Sequence, residues 1–278
     1  MTSLTPDDGD SESQLSDDGI LDNPIVNLIY SKKATEISIF SFPHGMKECG
    51  LSAEWSPMKL KQELRKEVAA ATRLFWEKGL TPGSDAGDTS LRDVETGLIY
   101  ICPRPKPNVL RIPNWGMTKA EHIVVIDPDG RVVDDSGLLP TVEAPMHLAI
   151  YKARPDVNAI VHSHAIWSSA FAVTGKNIPP ILAEQSLHLG GEVICAAYGK
   201  VGSQELARNI VAALGKDKMA ALMQNHGAVA LGVNFEEAFI TSDFLEKGAQ
   251  VALLGGLLGP LIARKPGEIL DESLMKKK

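Results

Sequence analysis

Ala159-Ile160-Val161-His162-Ser163-His164 is the stretch on which the reading of this sequence turns. It opens on an apolar, β-branched run, which packs well in a pleated sheet, and so predicts a strand over residues 159–162 that runs on into His164. In extended backbone, residues i and i+2 face the same way, so both imidazoles can reach one ion. Imidazole nitrogens bind zinc at about 2.0–2.1 Å, and catalytic zinc sites commonly combine three protein ligands with an open position. The pair alone equally fits two strand-end histidines making ordinary hydrogen bonds. His226 is a candidate third ligand, held in the tight Asn225-His226-Gly227 turn between two apolar runs. Glu143 is a fourth candidate, at the start of a predicted helix. A carboxylate there is favoured by the helix N-terminus, and beside a metal it can serve as ligand or as base.

Outward from this stretch, helices and short strands mix without a strict alternation. Leu60, Leu64, Val68, Ala71, Leu74 and Phe75 recur at helical spacing and predict a helix over residues 58–78, stopped by Gly79. A glycine-rich turn follows over 79–92, then strands near 98–102 and 123–126. Asp127-Pro128-Asp129-Gly130 is a turn signal ahead of a further strand near 131–133. A helix is expected over 143–154 with Thr141 as N-cap, another over 167–173, and strands near Ile181 and over 193–197. Ser203 is the expected cap of a helix over 203–214, with Glu205 in its first turn. Residues 219–224 and 228–231 read as paired strands, and a long helix covers 235–254. The fold class is therefore α/β, a single domain with a mainly antiparallel or mixed central sheet between helices. Its expected limits are residues 57–262, after a disordered acidic leader (1–24) and an irregular arm (25–56) with a short apolar stretch at 37–42, and before a C-terminal tail (263–278).

The leader carries the charge. Asp7, Asp8, Asp10, Glu12, Asp17, Asp18 and Asp22 precede any Lys or Arg, and these seven acids equal the whole net charge of -7. Residues 23–278 are thus formally neutral. The leader has too few apolar residues to offset the entropy of ordering it, so it reads as a solvated segment, or else as a docking arm. No basic patch interleaved with aromatics is present, which argues against nucleic acid as a partner. Apolar residues make up 44% and charged residues 23%, an ordinary balance for a globular protein that folds without staples. Cys49, Cys102 and Cys195 are odd in number and widely spaced, which favours a reducing compartment. No signal-peptide pattern or membrane-length apolar run is found, so the cytoplasm is the expected location.

The segments Leu139-Pro140-Thr141-Val142-Glu143-Ala144-Pro145-Met146-His147, Tyr151-Lys152-Ala153-Arg154-Pro155-Asp156-Val157, Val161-His162-Ser163-His164-Ala165 and Asn225-His226-Gly227 together resemble the class II aldolase/adducin family. That family includes fuculose-phosphate aldolases and ribulose-phosphate 4-epimerases, and the resemblance runs from about Leu60 to Leu254. It implies a helix-sandwiched sheet, a divalent ion on His162, His164 and His226, and Glu143 as resting ligand or catalytic acid/base. The implied ion is Zn2+, with Mn2+, Co2+ or Fe2+ as alternatives that three imidazoles and a carboxylate also suit. It further implies a small-molecule substrate and a homo-oligomer, usually a tetramer, with active sites at subunit boundaries.

Two departures stand out. Family aldolases hold phosphate with a Gly-Thr-x-Gly-Asn turn and a Ser-Ser pair before the acid. Here the turn is Gly83-Ser84-Asp85-Ala86-Gly87-Asp88-Thr89-Ser90, and the pair is Thr141-Val142. Asp85 and Asp88 would repel a dianion and Val142 offers no donor, so a non-phosphorylated substrate is expected. Gly83, Ser84, Gly87, Asp88 and Thr141 remain the candidate substrate contacts. The tyrosines that move protons in fuculose-phosphate aldolases also lack counterparts. Glu184, Gln185 and His188 in the Pro179–Gly191 stretch are candidate substitutes, reaching substrate within the chain or across a subunit interface.

The expected activity is a metal-dependent lyase reaction, retro-aldol cleavage of a hydroxy-carbonyl compound through a metal-stabilised enediolate. Decarboxylation of a hydroxy-acid or catechol-like acid shares that intermediate and is the alternative. A non-catalytic, adducin-like binding protein is the third possibility, weakened by the intact set of three histidines and Glu143.

Overall fold

The structure is a computed structural model that describes residues 60–81, 86–104, 114–134 and 136–258. The expected leader, arm, tail and the stretch at 37–42 lie outside the described residues.

Along the chain come α1 (Gln62–Glu77), β1 (Asp88–Arg92), β2 (Ile99–Ile101), β3 (Val124–Ile126), α2 (Ala144–Ala153), β4 (Ala159–Ser163) and α3 (Ile166–Ala172). Then follow α4 (Ala183–His188), β5 (Ile194–Ala196), α5 (Gln204–Leu214), β6 (Ala220–Met223), β7 (Gly227–Gly232) and α6 (Phe235–Leu258). The seven strands form one open sheet in the order β3-β2-β1-β4-β7-β6-β5. Every neighbouring pair is antiparallel except β5 and β6, which are parallel and connected through α5. The expected mixed sheet between helices is the one observed.

Strand periodicity divides the core between the two faces of the sheet. Tyr100, Val125, Val161 and Ala230 pack with Val68, Phe75, Phe235 and Phe239 of α1 and α6. Their immediate neighbours Ile99, Ile101, Val124, Ile126, Ile160, Val229 and Leu231 pack with Met146 and Ile150 of α2 and Leu206 and Ile210 of α5. Both faces are covered, which is why the strands other than β1 read as largely apolar runs. Each such Val, Ile or Leu contributes roughly 1.5–3 kcal/mol on burial. His162 shares the parity of Ile160, so its side chain belongs to the face covered by α2. That places it on the side of the sheet from which Glu143, at the head of α2, approaches.

The predicted helices near 58–78, 143–154, 167–173, 203–214 and 235–254 correspond to α1, α2, α3, α5 and α6. The Ser203 cap is present: its Oγ accepts the Leu206 N–H at 3.1 Å. Several expectations are corrected. The second half of the stretch read as a turn, Asp88–Arg92, is β1, paired with β2 on one side and β4 on the other. Its apolar content is low (Leu91 alone), and internal hydrogen bonds rather than apolar burial hold its polar side chains inside. The strand expected near 131–133 is reduced to a single bridge between Ile126 and Val132. Ile181 is not in a strand. It precedes α4, a short helix with no periodic apolar face long enough to predict it. Thr141 is not the N-cap of α2; that position falls to Glu143, while Thr141 Oγ1 accepts the Glu143 N–H at 3.2 Å.

Candidate metal centre

β4 delivers His162 from the middle of the sheet, and the chain leaving the strand delivers His164. His226 comes from the β6–β7 hairpin, whose turn carries Asn225 in left-handed backbone (φ 58°) and closes with His226 N–H donating to Met223 O at 3.0 Å. Asn tolerates that conformation better than most residues. Gly227 follows where a Cβ would collide with the Ser163 carbonyl, so glycine lets the hairpin approach β4 closely. Gly87 plays the same part on the other side, lying against the His162 carbonyl.

The result is a cluster of three imidazoles. Each pair of ring centroids is 4.9 Å apart, and one ligand atom from each ring lies within 4.8 Å of the other two. His162 Nε2 and His164 Nε2 are 3.2 Å apart. Two nitrogens bound to one tetrahedral ion at about 2.0–2.1 Å would be about 3.3 Å apart, so this pair already has ligand spacing. His162 Nδ1 donates to Ala228 O at 3.0 Å, which leaves its Nε2 lone pair facing the cluster. His226 Nδ1 is buried with no partner among the described residues. Burial holds His162 and His164 down at about 4 and His226 at about 3, with their mutual repulsion adding to it. All three are neutral at pH 7, the form in which imidazole offers a lone pair to a metal. On donor type, spacing and protonation, the cluster fits a divalent ion.

Glu143 lines the same cavity as the three histidines but is not among the groups whose ligand atoms cluster within 4.8 Å of one another. Oε1 accepts the Gly202 N–H at 3.0 Å, whereas Oε2 is buried and unpartnered among the described residues. Burial, helped by the charge of Asp88, raises its pKa to about 7. A cavity of about 470 Å³ joins these groups, with Gly87, Pro103, Arg104, Trp115, Val142 and Val201 in its walls.

The remaining expected contacts divide. Gly83 and Ser84, with Asp85, lie outside the described residues. Gly87, Asp88 and Thr141 border the cavity, but Asp88 does not present a free carboxylate to it. Its Oδ2 accepts from Thr141 Oγ1 at 2.5 Å and its Oδ1 meets His147 Nε2 at 2.8 Å. Burial opposes its charge, yet His147 and Thr141 prevail and hold it at about 2. Asp88 and Thr141 are thus occupied with each other rather than free for substrate, and the same pair braces β1 against the loop that carries Glu143. Glu184 and His188 are on α4 and do not line this cavity. Glu184 pairs with Lys247 at 3.5 Å, and His188 stacks on Phe244 with centroids 4.5 Å apart. The sequence reading missed Arg104, Trp115 and the buried chain Asp88–His147–Ser90–Tyr151, in which Ser90 Oγ is 2.7 Å from both His147 Nδ1 and Tyr151 Oη. The four-residue spacing of Glu143 and His147, one helical turn, was the available signal for His147.

An open mixed sheet with helices on both faces, carrying three histidines and an acid in this order, defines a class of fold and site. The chain belongs to that class: the Class II Aldolase and Adducin N-terminal domain family matches residues 66–253. This is a lyase family, and the chain is an enzyme of it. It is 35% identical over 195 residues to the L-fuculose phosphate aldolase of Escherichia coli (strain K12), covering 70% of this chain and 83% of that one. It is 31% identical over 192 residues to the 5-deoxy-D-ribulose 1-phosphate aldolase of Bacillus thuringiensis serovar kurstaki, covering 69% and 85%. A solved structure of an L-fuculose 1-phosphate aldolase superposes with a TM-score of 0.68 at 28% identity, covering 77% of this chain and 94% of that one.

Proposed function

We propose that the protein is a divalent-metal-dependent carbon–carbon lyase that cleaves a non-phosphorylated hydroxy-carbonyl compound by a retro-aldol reaction. The observation that carries this reading is the convergence of His162, His164 and His226 in one cavity with Glu143, whose Oε2 is unpartnered among the described residues. The three imidazoles would hold the ion, zinc first, with manganese, cobalt or iron as alternatives. When bound, it supplies Lewis acidity that stabilises negative charge developing on substrate oxygen.

The chain's own groups supply the rest. Gly202 N–H fixes one oxygen of Glu143, so the other faces substrate in a set direction. With a pKa near 7, Oε2 can take a proton from the substrate hydroxyl and return it after bond cleavage. Arg104 is the one cation among the described residues of the cavity wall and its neighbours Pro103, Val142 and Val201 carry no side-chain donor, which gives a phosphoryl dianion little to hold it, and the ionised Asp88 disfavours a dianion. These two points support an unphosphorylated substrate, in contrast with the sugar phosphates in the relatives' names. Among the described residues no tyrosine lines the cavity, which keeps decarboxylation of a hydroxy-acid as the second reading. We further propose a homotetramer, which the family resemblance implies, and a cytoplasmic location, which the odd and widely spaced cysteines favour. No helix among the described residues is long and apolar enough to cross a membrane.

Elemental analysis of the purified chain should find about one divalent ion per chain, lost in His162→Ala together with at least about 100-fold of the retro-aldol rate. Normal activity in metal-free protein, or in His162→Ala, would overturn this assignment. A phosphorylated ketose cleaved far faster than its unphosphorylated counterpart would overturn the substrate class alone.

A further inference from the structure

The cavity wall also carries a cation. Among the described residues, Arg104 is the only lysine or arginine in its walls, and it makes no ion pair there. Its side chain is exposed, but its backbone is pinned. Arg104 N–H donates to Leu139 O at 2.7 Å, Thr141 N–H donates to Cys102 O at 2.9 Å, and Pro103 and Pro140 form an antiparallel bridge between them. This two-stranded brace joins Arg104 directly to the segment that leads through Thr141 into Glu143. Trp115 lines the same cavity. It is 1% exposed, and its indole Nε1–H has no hydrogen-bond partner among the described residues. A buried donor left unsatisfied costs about 1–3 kcal/mol, a cost that a bound acceptor removes.

From this placement we infer that Arg104 and the Trp115 indole N–H form a subsite for a carboxylate on the substrate, distal to the carbon bound at the three histidines. This rests on the hydroxy-carbonyl lyase reading and narrows it to a hydroxy-oxo acid or a comparable hydroxy-acid. A guanidinium fork matches a planar carboxylate through paired hydrogen bonds, and the indole adds one neutral donor. One cation balances a monoanion. A phosphate dianion would leave a net negative charge near Asp88, which is itself ionised and buried at the cavity floor.

The test uses binding rather than turnover, with metal-loaded protein and calorimetry. Three probes share an α-hydroxy-acid head: α-hydroxyglutarate ends in a carboxylate, α-hydroxypentanoate in a methyl group, and phosphoglycerate in a phosphate. α-Hydroxyglutarate should bind at least about 10-fold tighter than α-hydroxypentanoate, and at least as tightly as phosphoglycerate. Arg104→Leu should bring that ratio close to one, Arg104→Lys should restore part of it, and Trp115→Phe should lower it by a few-fold. A ratio unchanged in Arg104→Leu, or phosphoglycerate bound markedly tighter than α-hydroxyglutarate, overturns the subsite. His162→Ala reports separately on the head: it should weaken both hydroxy-acids equally and leave their ratio intact. If His162→Ala changes neither affinity, the metal reading fails, while the Arg104 ratio still decides the subsite.

Discussion

At the scale of single residues, folding sets protonation, and protonation sets stability. The three histidines are held below their unfolded value of about 6.5, so the unfolded chain takes up protons first as pH falls. Their contribution is present above about pH 6.5 and is lost as pH drops towards 4. Glu143 has the opposite sign: its pKa is raised from 4.5 to about 7, so its contribution is present below about 4.5 and lost as pH rises through 7. Chelator-treated protein should therefore lose stability on acidification from pH 7 to 5, and Glu143→Gln should lose it more steeply because the opposing gain is gone. Denaturant melts at a series of pH values check this, and a shallower loss in Glu143→Gln contradicts it. His162, His164, His226 and Glu143 were candidates from spacing, a tight turn and a helix start, and only the family resemblance joined them into one set; the structure brings the three histidines together. Arg104 and Trp115 were not candidates, since nothing local tells which residues of the loops after β2 turn towards the same cavity. Asp88 was misjudged because its partners, Thr141 and His147, are 53 and 59 residues away.

At the scale of elements, the site depends on close backbone approach and on a buried polar brace. Gly227→Ala forces a methyl group against the Ser163 carbonyl, so the β6–β7 hairpin must shift and carry His226 with it. A stability loss of about 1–3 kcal/mol is expected, together with weaker metal retention under dialysis. Thr141→Val keeps the shape but leaves one Asp88 oxygen and the Glu143 N–H without their partner. It should cost about 1–3 kcal/mol in denaturant melts, and kcat should fall more than KM rises, because Glu143 loses its alignment. Ile160→Ala, by contrast, opens the core between β4, α2 and α5 and should cost about 2–5 kcal/mol. The long helices and the β6–β7 hairpin were readable from periodicity and turn signals. β1 and α4 were not. One is held by internal hydrogen bonds, and the other is too short to show a period.

At the scale of the whole molecule, the sheet order β3-β2-β1-β4-β7-β6-β5 makes neighbours of strands that are remote in the chain. Saturation with the native ion at about 1,000 times its Kd should raise stability by about 4 kcal/mol, visible as a chelator-reversible rise in Tm. Strand order also bears on how quickly the molecule forms. His162 and the Ala228 carbonyl that orients it are separated by 66 residues, so the β4–β7 contact closes a large loop. Contacts of that span delay the folding barrier rather than precede it, and ordered loops of such length are entropically costly to close early. The imidazole cluster can exist only after β4 and β7 are side by side. Stopped-flow traces should accordingly show the ion slowing unfolding while the refolding rate stays nearly constant, which would make it a clasp fastened on a finished fold rather than a seed around which the chain condenses.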